Sequence, residues 1–278
     1  MRILLIVIAL LTTTAGFSQQ SKIKRLRKET MSLAMELYKS ELASWHSTDI
    51  LVDKLGSMST IGGYLSYSEN DETIAIYYDQ SEDKDVLYEV RYPQILKLKD
   101  VYELDTIPRK PTELENRLLA TREKARDVVQ KNEDSFFSYY KNVGWNFVPL
   151  LLNNKVTVYS ISGPQESGKV LIGNDYKFEF DKKDRFVSKS KIHNTLLVYP
   201  YVGEDKKLKQ VVHSHIIDDY PILSATDICT LMLYEPYVEW KQHTVISDSY
   251  VSIFDLKEKQ LIIMTRKVWD KINKLDKD

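Results

Sequence analysis

The chain contains a single cysteine, Cys229, among 278 residues, so no internal disulfide holds it together. An oxidising compartment is therefore tolerated but unused. Stability must come from a hydrophobic core, and this length is ample for one. Glycine (9) and proline (8) are also scarce, which argues against a disordered or low-complexity chain. Net charge is missing as well: 39 Lys and Arg are interspersed with 40 Asp and Glu. No broad field exists to attract nucleic acid or an anionic membrane. There is no Gly-x-Ser-x-Gly nucleophile elbow, and no apolar run approaches the ~20 residues that span a bilayer.

What is present begins with an export signature. Met1-Arg2 precedes the apolar run Ile3 to Leu11, and Thr12 to Ser18 forms a polar, small-residue exit with Gly16 and Ser18 ahead of Gln19. This pattern predicts a cleavable signal peptide over residues 1–18 and a periplasmic or secreted mature chain. A retained anchor is the competing reading. Basic Lys22, Lys24, Arg25 and Arg27 follow the exit rather than a second apolar stretch, and no Cys is placed for lipid attachment. No stable membrane anchor is expected after cleavage.

Apolar residues Leu26, Leu33, Ala34, Leu37, Tyr38, Leu42 and Trp45 recur at helical spacing, and His46 to Asp49 reads as the end of that helix and the start of a short next one. Gly62-Gly63 opens a different regime. Tyr64–Tyr67, Thr73–Tyr78 and Val86–Val90 are short β-branched and aromatic runs, a three-stranded meander by pattern. Thr112 and Glu115 form a capping box for a long helix reaching Tyr140, with Gly144 as its end. Strand-like runs follow at Val156–Tyr159, Val170–Gly173, Tyr176–Phe180, Leu196–Tyr199 and Gln210–His215. Then come a helix from Ser224 to about Trp240, strands at Thr244–Ile246 and Tyr250–Phe254, and a last helix over Lys267–Leu275. The fold class is α+β: an N-terminal helix, an antiparallel meander and a long helix over 19–142, then a mixed sheet with a helix after the His-x-His strand over 143–278.

The chemistry-bearing motif is His213-Ser214-His215. On a strand, residues i and i+2 point to one face, so both imidazoles project together with Val211. Two imidazoles converging in this way suit one zinc ion. Downstream, Asp227 sits in the first turn of an expected helix, and if that helix folds back over the strand its carboxylate reaches the two imidazoles. Two histidines, a carboxylate and a water make a tetrahedral set in which the metal acidifies the water. Asp218 and Asp219 are rival carboxylates, better read as turn formers before Tyr220-Pro221. His193 is placed to approach the same site, although a single histidine is more often structural. The other reading of Ser224-x-x-Asp227 is a helix capping box and nothing more.

His213-Ser214-His215 followed by Ser224-x-x-Asp227 resembles the motif of the JAMM (MPN-type) metal-dependent isopeptidase family, over about Lys155 to Leu256. The resemblance implies His213, His215 and Asp227 as metal ligands and Ser224 as the residue orienting the water or oxyanion. It also implies a catalytic Glu on an earlier strand, for which Glu166 is the candidate. The sequence departs from the family in three ways. The spacer from His215 to Ser224 is one residue longer, Ile216 replaces the usual proline, and Glu166 lies in the turn Gly163 to Gly168. That turn with Lys169 matches most of a phosphate-binding loop, but Val170 stands where the magnesium-holding hydroxyl belongs. Cys229 reads as a buried inert thiol.

Two function classes remain open. One is an exported non-catalytic binding or scaffolding module for a protein or peptide partner, which the three departures favour. The other is a zinc-dependent amide hydrolase acting on a peptide or cell-envelope substrate.

Overall fold

The computed structural model describes residues 2–97, 102–202 and 210–275, with side chains from Gln19 onward apart from Lys97 and Leu275. The side chains of the expected signal peptide, 1–18, lie outside the described residues. The backbone of Arg2–Leu55 is one helix, α1. Among the described residues no helix is long and apolar enough to cross a membrane. Lys22, Lys24, Arg25, Arg27 and Lys28 occupy the exposed face of α1, while Ile23, Leu26 and Leu33 pack inward, so the basic stretch is a solvated helix surface.

The helix break expected at His46–Asp49 does not occur. Ser47 and Thr48 donate their hydroxyls to the carbonyls of Ala43 (2.6 Å) and Ser44 (2.7 Å) and also bond the Tyr77 hydroxyl. Polar residues that suggest an interruption are satisfied inside the helix and across to the sheet. Small residues on the same face let α1 approach closely: the buried hydroxyls of Ser40 and Ser44 meet Ser66 at 2.8 and 2.7 Å.

Strands β1 (Ile61–Glu69), β2 (Glu72–Asp79), β3 (Val86–Tyr92) and β4 (Glu103–Asp105) form an antiparallel sheet in chain order. Asn70 and Asp71, both at positive φ, make the two-residue hairpin turn between β1 and β2. β4 adds a short fourth strand to the expected meander. Helix α2 (Glu113–Gln130) starts at the predicted Thr112–Glu115 capping box. It ends well before Tyr140, because Asn132 and Asp134 close a local turn: Asn132 Nδ2 donates to Asp134, whose carboxylate accepts from Phe136 N at 2.7 Å. Phe137 then turns into the core, 4.8 Å from the Tyr176 ring. Gly144, the expected helix end, lies within a strand instead.

That strand, β5 (Val143–Leu152), begins an antiparallel sheet of order β5–β6–β8–β9, with β6 (Lys155–Pro164), β8 (Tyr176–Phe180) and β9 (Phe186–Lys191). β7 (Lys169–Gly173) pairs with β10 (Leu196–Pro200). The last sheet is mixed. β11 (Gln210–Ser214) runs parallel to β12 (Gln242–Ile246), and β13 (Tyr250–Asp255) and β14 (Gln260–Thr265) continue it antiparallel. Parallel neighbours require a crossover. Helix α3 (Ala225–Tyr234) supplies it, extended by a 3-10 turn over Glu235–Tyr237 rather than continuing as helix to Trp240. α4 (Arg266–Leu275) closes the chain.

One apolar core gathers Ala34, Leu37 and Tyr38 of α1 with α3, β7 and the mixed sheet. A second unites the meander and α2 with β5, β6 and β8, so apolar packing runs across residues 142–143. A third lies under α1 against the other face of the meander.

Candidate metal centre

The crossover places the site. β11 delivers His213 and, one residue past its end, His215; the chain then returns through Tyr220-Pro221 into α3, whose first turn carries Asp227. Parallel register sets Val211 opposite His243 and His213 opposite Val245. His243 therefore shares the inward face with Val211 and His213, while Val212 on the other face is 57% exposed. His193, placed by the sequence to approach the site, does join His213 and His215, and so does His243, which carried no motif in the sequence. Adjacent ring centroids lie 5.1 Å (His193–His215), 4.9 Å (His215–His213) and 4.9 Å (His213–His243) apart.

His193 arrives from the turn between β9 and β10, and Asp175 from the turn between β7 and β8. These two turns are clamped together. Asn174 N donates to Thr195 O and Ile192 N to Asp175 O, each at 2.9 Å. Gly173 makes the approach possible: it sits at φ +99°, and a Cβ there would fall 2.3 Å from the Thr195 carbonyl oxygen.

His193, His215 and Asp227 are all buried, with one ligand atom from each lying within 4.8 Å of the others. His193 Nε2 is 3.0 Å from Asp227 Oδ1, and His215 Nε2 is 3.5 Å from Asp227 Oδ2. His213 Nε2 lies 2.9 Å from His215 Nε2. Donor atoms about 2.1 Å from a tetrahedral zinc sit roughly 3.4 Å from one another, so these separations are in the right range. Each far nitrogen has an acceptor nearby. His215 Nδ1 donates to the Tyr220 carbonyl at 2.9 Å, and His193 Nδ1 faces Asp175 Oδ2 at 3.3 Å. Asp175 is itself fixed by Ser162 N at 2.9 Å. Tying Nδ1 to a carbonyl or carboxylate presents Nε2 to the centre, as outer partners do for metal-bound histidines.

Electrostatics set this centre apart. Burial works against a charged His193, but Asp227 and Asp175 outweigh it and hold its pKa above the usual imidazole range. Burial likewise opposes ionisation of Asp227, and His193 and His215 overcome it, holding that carboxyl well below its usual range. His213 is pushed down to about 4 and His243 to about 3, first by burial and then by neighbouring imidazoles, with Asp227 opposing. Two buried carboxyl groups, of Asp227 and Asp175, thus flank the His193 ring. Although close, Asp227 Oδ1 and His193 Nδ1 lack a well-aligned hydrogen bond. A divalent cation bound by neutral imidazoles would engage Asp227 Oδ1 and release the His193 proton.

Of the residues implied by the family resemblance, His215 and Asp227 stand together at this centre and His213 stands beside them. Ser224 is the buried N-cap of α3: its Oγ accepts from Asp227 N at 3.0 Å, its N donates to Asp227 Oδ2 at 2.9 Å, and its Oγ lies 3.5 Å from His193 Nε2. The capping box and the candidate ligand set are therefore the same residues. Glu166 is not brought to the centre. It sits in the β6–β7 turn, where it pairs with Lys169 at 2.5 Å and accepts from Asn142 Nδ2. Val170 begins the buried part of β7, so the loop-like run before it is a strand connection. Cys229 is buried, and burial raises its pKa, leaving an inert thiol. Asp175 carried no motif in the sequence. A cleft of about 150 Å³ lined by His193, His213 and His215 with Ile172, Leu197 and Ile217 opens beside the centre.

No protein-family model matches the chain, and no curated protein or solved structure matches it.

Proposed function

We propose that this protein is an exported metal-binding module whose zinc-type centre, held by His193, His215 and Asp227 with His213 alongside, serves a binding or scaffolding role rather than hydrolysis. The observation that carries the reading is the orientation of the ligand histidines. His215 Nδ1 is tied to the Tyr220 carbonyl and His193 Nδ1 faces Asp175, so both Nε2 atoms are turned to the one buried Asp227 carboxylate. The non-catalytic half rests on Glu166, whose carboxylate is engaged by Lys169 and Asn142, leaving no general base from the family motif at the centre. Export rests on the sequence of residues 1–18.

The test is metal analysis of the purified mature chain, followed by zinc titration against a competing chelator. One bound zinc per chain, lost in His193→Ala, His215→Ala and Asp227→Asn, is the expected result. No affinity for zinc in the folded wild type overturns the reading. A second reading, zinc-dependent amide hydrolysis, is favoured by the cleft that reaches His193, His213 and His215. Metal-dependent cleavage of a peptide panel, abolished by Asp227→Asn, would replace the first reading with it.

A further inference from the structure

Another buried carboxylate lies apart from the candidate metal centre, on the inner face of α1. Glu41 is 5% exposed, and both of its oxygens lie 2.6 Å from Asn146 Nδ2 on β5. Asn146 is oriented by Tyr64 on β1, whose hydroxyl donates to Asn146 Oδ1 at 3.0 Å. Glu41 is not enclosed by apolar packing: it lines a groove of about 450 Å³ together with Asn146, Tyr64, Trp45, Trp145 and Tyr234. Among the described residues its carboxylate receives hydrogen bonds from one amide only. An ionised carboxylate has room for about four, so acceptor capacity is left over at the edge of the groove.

We propose that this groove is a binding site for an alkylammonium group, with Glu41 as counter-ion and the aromatic residues as its walls. Three observations converge on a cation. The first is the under-used carboxylate. The second is the aromatic lining, since indole and phenol rings attract ammonium groups electrostatically. The third is the charge of the surroundings. The titratable groups coupled to Glu41 are Tyr64 of β1 and Tyr234 and Cys229 of α3, and burial raises the pKa of all three, keeping them neutral near neutral pH. The groove's own cation, Arg126 of α2, is held by Glu123 at 2.8 Å and lies over the Phe147 ring. Burial shifts the Glu41 carboxyl up to about 7, against the Asn146 hydrogen bond, so below that pH an arriving ammonium forms an ion pair as the carboxyl proton leaves to solvent. The source of the ammonium is either a lysine side chain on a peptide or a free small amine.

The test titrates the full chain with n-butylammonium, with Nα-acetyl-lysine amide and with neutral n-pentanol, reading heat and tryptophan fluorescence. The ammonium probes are expected to bind at least about tenfold tighter than pentanol, and Glu41→Gln to erase that preference while zinc affinity holds and the chain stays folded. Tighter binding of the lysine derivative assigns the site to peptides, and equal binding assigns it to small amines; either supports the site. The Glu41 carboxyl carbon resonance gives the same answer without a substitution. Just below its own midpoint, n-butylammonium should move it to the ionised position and pentanol should not. Equal affinity for pentanol, or an unmoved resonance, overturns the proposal.

Discussion

Helices α2 and α3 open with the same device, a capping box whose third helical residue is a buried carboxylate, yet the two carboxylates have different fates. Glu115 is fully used. It accepts from Arg109 Nη1 and Nη2 (2.7 and 2.6 Å), from Thr112 N (2.7 Å) and from the Tyr67 hydroxyl (2.9 Å). Burial raises its pKa, but Arg109 leads the bonds that bring it below its usual range. Asp227 has one oxygen on Ser224 N and the other turned towards His193 without a well-aligned bond. The lesson concerns satisfaction rather than motif. A buried carboxylate whose lone pairs are met by a cation, an amide and a hydroxyl fixes structure, whereas one that faces imidazole nitrogens with an oxygen left without an aligned bond is a candidate metal ligand.

Substitution separates the two. The largest expected effect is on metal binding: His215→Ala or Asp227→Asn should weaken zinc by at least ~100-fold in a competitive chelator titration. His46→Ala and Glu115→Ala should change it by less than about threefold, and a large loss in Glu115→Ala would break the distinction. In the other direction, Glu115→Ala should destabilise the fold by about 2 to 3 kcal/mol in urea unfolding. It removes a cap and leaves Arg109, itself 30% exposed and still paired with Glu89, partly uncompensated.

Glu41 is a further buried carboxylate, one with no cationic partner among the described residues, and its pH dependence has a defined sign. Its folded pKa, about 7, lies above the ordinary 4.5, so the native state binds the extra proton. Its contribution to stability is greatest below about pH 4.5, declines as pH rises to about 7 and is flat above. That amounts to about 3 kcal/mol, at 1.36 kcal/mol per pKa unit. The difference in unfolding free energy between Glu41→Gln and wild type should grow by that amount from pH 4.5 to 8; a pH-independent difference would refute the assignment. The smallest effect sharpens the metal centre itself. Asp175→Asn keeps the fold and the ligands but loses the charge behind His193, so zinc affinity should fall ~10- to 100-fold by the same titration.

Much of this was legible along the chain. The inward face of α1, the meander, both capping boxes and the His-x-His strand all follow from local periodicity and capping chemistry, which act over a few residues. The errors have equally local causes. Ser47 and Thr48 read as a helix break because their partner, Tyr77, is thirty residues away in the chain. The α2 pattern continued on paper to Tyr140 because Phe136 and Tyr140 keep helical spacing, although the Asn132–Asp134 turn had already ended the helix. β5 and β9 were not singled out as strands, since their role depends on which neighbours they pair with.

By itself, the sequence determined the α+β class, the absence of disulfides, and a carboxylate in the first turn of a helix after two histidines that share a strand face. Only the tertiary structure decided that His193, His243 and Asp175 belong with them. Those three come from turns and strands joined through backbone bonds such as Asn174 N to Thr195 O, and no spacing along the chain encodes contacts made by long-range packing.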